Sequence, residues 1–420
     1  SQRMRRACKV AVQLRLSSAC SSVAGPSRSI DEKLIQRGEF YRVEKTGKAS
    51  SSSRSLFQLV LSRMHDHIHR IHRVSPDAVM VELVLKLENG DAPLISLLEK
   101  SPEQWIPMSI MCCGRALSTI QADSRRVIAR RLWSQIEKRG LPISIGTINA
   151  HLRVNVDNDE KFDPFETLKE IEEKRGLVPD QETFHILLEQ LSLFGELEKC
   201  NTILYEMARR GQSPSDAISH SHLVYANAVR GYNQTVDSMI QQSLVKFGSE
   251  GEALSLGAAC VAAAAGGKID RLRDMTDESL EVSYSSLRLS TKNVFDIIWA
   301  LAEKTGDNEK NNDAVIEEIL NRSQHPNGFF HFLYREIDRH ISSSHFHTTI
   351  LLLKSAMRVK DESLRQSRIA FVERTVGTMC RSMVKSRMEN GLMMEMANRM
   401  ESTLSIKRYT VIIESIKLLL

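Results

Sequence analysis

Three short segments in the middle of the chain repeat one another: Lys138-Arg139-Gly140-Leu141-Pro142, Lys174-Arg175-Gly176-Leu177-Val178-Pro179-Asp180 and Arg209-Arg210-Gly211-Gln212-Ser213-Pro214-Ser215. Their glycines stand 36 and 35 residues apart. A mark recurring at that period, with helical patterning between the marks, confines the chain to a helical-hairpin solenoid. Each unit is then too small to bury a core of its own, and neighbours must stack.

One unit shows why. Phe184, Leu187, Leu188 and Leu191 fall at positions 0, 3, 4 and 7, one apolar face of a helix. Gly195 interrupts it. A second helix over Glu196 to Arg210 carries Leu197, Cys200, Ile203, Leu204 and Met207 on one side. The small Cys200 admits close approach of the two helices, while Leu204 and Met207 fill the groove. Gly211 supplies a left-handed stop and Pro214 blocks continuation. The basic residues before each glycine suit the negative end of a helix dipole.

The pattern extends both ways. Gly231 and Gly267 follow Gly195 at intervals of 36. Helices are predicted from Leu56 to Arg73, from Pro76 to Leu87, over Leu94–Lys100, Trp105–Ile120 and Val127–Arg139, with Trp133 among inward apolar positions rather than an exposed platform for bases. The alanine-rich run 258–265 predicts a helix packed unusually closely. Ser290 or Thr291 caps a helix bearing Val294, Ile297, Ile298 and Leu301, closed by Gly306. Ala314–Leu320, a turn at His325-Pro326-Asn327-Gly328 and a helix opening at Phe329 follow. Near the end, methionines 379, 383, 388, 393, 394, 396 and 400 crowd a helical region broken by Asn390-Gly391, which suits either an interior helix pair or a partner surface. The apolar finish Ile412 to Leu420 lacks the polar cap of a solenoid end, so the protein is expected to continue.

Composition bears on partners and compartment. Apolar residues are 42% and aromatics 5% of the chain, which favours helices over a sandwich or barrel. The formal charge of +5 misleads. Residues 1–30 hold Arg3, Arg5, Arg6, Lys9, Arg15, Arg28 and no acid, leaving the other 390 residues nearly neutral. That segment reads as a mitochondrial presequence or as a basic tail. Residues 31–55, with the run Ser50 to Ser53, read as a linker. The seven cysteines have neither disulfide nor metal spacing and read as reduced thiols. No stretch of 18 apolar residues occurs, so no membrane span is expected.

Chemistry is sparse. His65, His69 and His72 share a helix face without a cysteine, which reads as solvated or RNA-adjacent imidazoles rather than zinc. Gly266-Gly267-Lys268 lacks the spacing of a phosphate loop. No nucleophile–base pair, convergent acids or metal set appears, so the chain reads as a non-enzyme with no cofactor.

The run Phe184-His185-Ile186-Leu187-Leu188, then Phe194-Gly195-Glu196-Leu197-Glu198-Lys199-Cys200, Ile203-Leu204-Tyr205-Glu206-Met207 and Gly211-Gln212-Ser213-Pro214 resembles the pentatricopeptide-repeat family. Ala129 to Lys138 and Lys161 to Glu173 resemble the opening repeats of its leucine-rich branch from animal mitochondria, in a divergent invertebrate form. The likeness runs from about Leu56 to about Gly306. It implies an all-α, right-handed superhelical solenoid of stacked helix-turn-helix repeats, with pentatricopeptide-like repeats over 56–306 and further hairpins over 307–420.

The resemblance also implies function: a matrix protein that binds single-stranded mitochondrial messenger RNA, works with a small protein carrying one RNA-recognition domain, and serves the small subunit of the mitochondrial ribosome. Repeats of this kind can read one base per hairpin. By similarity the reading positions are the fifth residue of the first helix and the last residue of the repeat. These fall on Asn149 with Asp180, a uracil-preferring pair, and on His185 with Ser215, an uncommon one. In the third unit His220 and Ser221 both remain open. The competing reading is a protein scaffold that docks the partner and ribosomal proteins without reading RNA.

Overall fold

A computed structural model describes residues 76–115, 120–276, 289–305, 312–322, 329–358, 365–386, 388 and 390–404. The expected presequence, linker, helix from Leu56 with its histidines, turn at His325–Gly328 and apolar finish lie outside these residues. All regular structure among the described residues is helical. The helices are α1 (Pro76–Glu88), α2 (Ala92–Lys100), α3 (Pro102–Met111), α4 (Ala122–Lys138), α5 (Ile145–Asp157) and α6 (Pro164–Lys169, closing in a π turn over Glu170–Lys174). Then come α7 (Gln181–Ser192), α8 (Leu197–Arg209), α9 (Ala217–Arg230), α10 (Asn233–Ala265), α11 (Ile269–Thr276), α12 (Thr291–Thr305) and α13 (Asp313–Arg322). Last are α14 (Phe329–Ser342), α15 (Phe346–Arg358), α16 (Arg365–Lys385) and α17 (Asn390–Leu404).

The contacts divide the chain at residues 335 and 336 into two compact units. The larger is a helix-turn-helix repeat solenoid of two rows. One row runs α3, α5, α7, α9, the second half of α10 and α12, each packed on the next. The other holds their hairpin partners: α4, α6, α8, the first half of α10, α11 and α13. Helix α10 is broken at Gly248, which takes φ 72 and divides it into 233–247 and 249–265.

The period survives at atomic level and settles at 36. Ser144, Asp180 and Asp216 cap α5, α7 and α9, each accepting from the backbone N–H three residues on. Within the hairpins, Gly195, Gly231 and Gly267 sit at left-handed φ, and Asp159 holds the equivalent place at φ 56. Aspartate tolerates that region better than most residues, which is why this unit escapes a glycine search.

The apolar faces land as the spacing requires. Phe184, Leu187 and Leu188 are fully enclosed, Cys200, Ile203 and Met207 meet them, and Ile186 is buried too, because α7 is flanked in its row by α5 and α9. Ala259, Cys260, Ala262, Ala263 and Ala264 are buried where close packing is expected. Helix α3 ends at Met111 rather than at Ile120, with Cys112 to Arg115 in a turn. Trp133 is half-buried against the core, stacked on His151 at 4.0 Å, with the Arg175 guanidinium 5.4 Å from its ring.

The arginines before the turn glycines do more than meet a dipole. Arg175 donates to Glu137 (2.7 Å), and Arg210 forks onto Glu172 (2.6 and 2.8 Å), in each case reaching the preceding repeat. Glutamate and arginine thus recur at matching intervals and staple consecutive second helices together.

The smaller unit, described over 336–404, packs α15 against α16 and α17. Met379, Met383, Met393, Met396 and Met400 are buried there, on the packed faces of α16 and α17. Asn390 opens α17 rather than breaking a longer helix.

Candidate nucleic-acid interface

The first-row helices carry the expected reading positions because their N-caps align them. Asp180 closes a reciprocal capping box with Thr183. Its Oδ1 also accepts from Asn149 Nδ2 at 3.0 Å, so the carboxylate and the amide are in contact. Thr183 Oγ1 in turn donates to Asn149 Oδ1 at 2.8 Å. Asn149 is only 2% exposed, and both ends of its amide are engaged within the protein. Burial pushes the Asp180 carboxyl up, but the hydrogen bonds from Thr183 and Asn149 outweigh it and hold the group below its ordinary value.

The second pair falls one residue away from expectation. His185 Nε2 lies 3.0 Å from Asp216 Oδ2, not against Ser215, which is exposed in the preceding bend. The repeat here is 36 residues long, so the counterpart of Asp180 is the cap of the next first helix. Gln181 Nε2 also donates to Asp216 Oδ2 at 2.6 Å. Five positions past Asp216 is Ser221, buried, with its hydroxyl donating to the Ile218 carbonyl (2.7 Å). Searching for the glycine mark alone misses Asp216; the spacing from Asp180 finds it.

A set of charges unmarked by any motif shares this face. Arg153 on α5 pairs with Glu189 on α7. Lys292 on α12 comes within 4.0 Å of the same carboxylate. In the row, α9 and half of α10 separate α7 from α12, so the row is curved with this face inside. His222 and Tyr225 of α9 lie between. At the other end the turn after α3 is pinned by Asn158 Nδ2 donating to the Cys113 carbonyl (3.1 Å) and by buried Arg125. That places Arg115 beside Asp157 (3.4 Å) and Asp296 of α12 (2.5 Å).

Enclosure shows in the titrating groups. Burial pushes the Glu189 carboxyl up, but Lys292, Arg153 and His222 together hold it at about 2. Burial holds the His222 imidazole down at about 4. Among the described residues no group of three or more His, Cys, Asp or Glu could hold a metal ion, and no helix is long and apolar enough to cross a membrane. The arrangement can present polar side chains and cations to a polyanion from one concave face.

No protein-family model matches the chain. Among curated proteins, it is 27% identical over 106 residues to the leucine-rich PPR motif-containing protein, mitochondrial, of Xenopus tropicalis, covering 25% of this chain and 8% of that protein. The proteins of the same name from Rattus norvegicus and Mus musculus are each 21% identical, over 211 and 212 residues, covering 49% of this chain and 14% of each relative. The chain therefore matches only a small part of these relatives, and what it shares with proteins carrying PPR motifs is a partial-length likeness that agrees with its helix-turn-helix repeats.

Proposed function

We propose that the chain is a non-catalytic, RNA-binding helical-repeat protein of the mitochondrial matrix, corresponding to the N-terminal part of a leucine-rich pentatricopeptide protein of divergent invertebrate type. In this reading it holds single-stranded messenger RNA on the inner face of the larger unit. It stabilises mitochondrial messengers, supports their polyadenylation and delivers them to the small mitochondrial ribosomal subunit, together with a small RNA-recognition-domain partner. The observation that carries the proposal is the recurrence, at 36 residues, of a polar fifth residue joined to the capping carboxylate of the next repeat: Asn149 with Asp180 and His185 with Asp216. One such position per hairpin suits base-by-base contact with a single strand.

The test is fluorescence anisotropy with labelled single-stranded oligonucleotides. Oligouridylate should bind with an affinity that falls as salt rises, with a slope of about −0.7 per phosphate contacted. Absence of binding at low salt, or indifference to salt, would remove the reading. Because Asn149 is enclosed, reading a base means opening its second amide N–H to the base edge while Asp180 holds the first. Asn149→Ala should therefore weaken a uracil-containing strand more than a matched strand lacking uracil, and equal losses would remove the pair from the code.

A second reading, the non-catalytic scaffold, is favoured by one observation. The described apolar surface includes Tyr205 at 66% and Val245 at 86% exposure, both on second-row helices away from the inner charges. Co-purification of the small partner without RNA would support it, and loss of that partner on deleting residues 1–55 would place the contact in the arm instead.

A further inference from the structure

The inner face is not an open track of positive charge. Its cations Arg115, Arg153 and Lys292 stand against the carboxylates Asp157, Glu189 and Asp296, each within ion-pair distance of at least one of them. Two of these contacts bridge distant parts of the row. Arg115 to Asp296 joins the turn after the first helix of the row to α12, and Lys292 to Glu189 joins α12 to α7. Val294, Ile297, Ile298 and Leu301 seat α12 on its row neighbour, the second half of α10. Its polar side supplies the two groups that cross the groove.

We infer that Asp296 and Lys292 form an electrostatic latch across the groove, holding the row bent and the face closed, and that the phosphates of a single-stranded RNA open it by taking the cations from their carboxylates. This rests on the RNA reading above. The physical basis is competition. Phosphate and carboxylate seek the same guanidinium geometry, so a polyanion binds only as far as it outweighs the internal pairs. A ligand shifts such an equilibrium by its differential affinity for the two states. With the latch in place, weak or short polyanions are excluded, and a strand long enough to contact several cations is admitted.

Proximity can be read directly. A zero-length carbodiimide joins an amine to a carboxylate in contact, so the full chain should yield a Lys292–Glu189 cross-link by mass spectrometry. Saturating oligouridylate should lower its yield at least about fivefold, the lower end of ordinary site-to-site coupling. Asp296→Asn removes the negative charge paired with Arg115 and should lower the yield without RNA while tightening oligouridylate binding by about fivefold or more. Arg115→Gln breaks the same pair while removing a cation. A pure charge effect would weaken RNA binding without touching the cross-link, whereas release of the latch lowers the cross-link here too. RNA binding with the cross-link undiminished overturns the latch and leaves the RNA reading standing. Loss of the cross-link in Asp296→Asn, with no RNA bound by either protein, overturns the RNA reading and the ligand half of this inference with it.

Discussion

His185 Nε2 lies 3.0 Å from Asp216 Oδ2, in the place that Asn149 and Asp180 occupy one repeat earlier. Asp216 is also the N-cap of α9, accepting from the Ser219 N–H at 2.8 Å. One carboxylate therefore starts a helix and orients the polar residue of the preceding unit, which couples repeat geometry to the inner face.

That double duty separates Asp216 from its neighbour. Asp216→Ala removes a cap and leaves His185 without this partner, so urea unfolding should show a loss of about 1–3 kcal/mol. Ser215→Ala, at an exposed bend position, should stay within about 0.5 kcal/mol of the parent. Equal effects would return the register to the 35-residue count.

Acid should weaken the larger unit in two stages. His151 and His222 are both held by burial at about 4, against an ordinary 6.5. A depressed imidazole favours folding above its unfolded value, and that advantage shrinks as pH falls from about 6.5 towards 4. Glu189, held at about 2 against an ordinary 4.5, loses its contribution only below about pH 4.5. Thermal unfolding across pH 7 to 4 should show the first slope, and His222→Gln should flatten it. A parallel curve for that variant would show that the histidine is not enclosed as described.

The fork of Arg210 on Glu172 gives the inter-repeat staple its geometry, with Nε and Nη2 each on one carboxylate oxygen. An ammonium cannot reproduce two parallel bonds. Arg210→Lys should therefore cost nearly as much as Arg210→Ala, about 1 kcal/mol, and chemical denaturation would reveal full rescue by lysine if charge alone mattered.

Two left-handed glycines should differ. At Gly195, φ is 64 and an added Cβ would come 3.1 Å from Arg230 Nε and 3.2 Å from Val229 Cγ1, whereas at Gly140 nothing lies within 4 Å. Gly140→Ala should cost about 1–2 kcal/mol for the backbone conformation alone. Gly195→Ala should exceed it, because it also disturbs the bond from Arg230 Nε to the Gly195 carbonyl at 2.7 Å. Equal melting shifts would show that the neighbours yield freely.

Much of the architecture is legible without coordinates. The face of Phe184, Leu187, Leu188 and Leu191, the stops at Gly195 and Gly211, and the Ser290 cap, which accepts from the Asn293 N–H at 3.1 Å, all follow from local preference and period. The pair Asn149 and Asp180 comes from the family resemblance, and the structure sets the two side chains in contact. His185 meets Asp216 rather than Ser215 because a turn glycine marks where a helix stops, while this contact is aligned by where the next helix starts. The connector between them is free to vary by a residue.

What the chain determines by itself is the repeat: two helices, their apolar stripes and their ends, each governed by residues a few positions apart. Only the tertiary structure decided what the inner face presents. Arg115 meets Asp296 across 181 positions, and Lys292 reaches Glu189 across α9, because the row bends. Curvature accumulates from small rotations at every helix contact and leaves no mark at any one of them. Asn149, read from its position as a group offered to a base, is enclosed for the same kind of reason: its surroundings are made by the next repeat, not by its own.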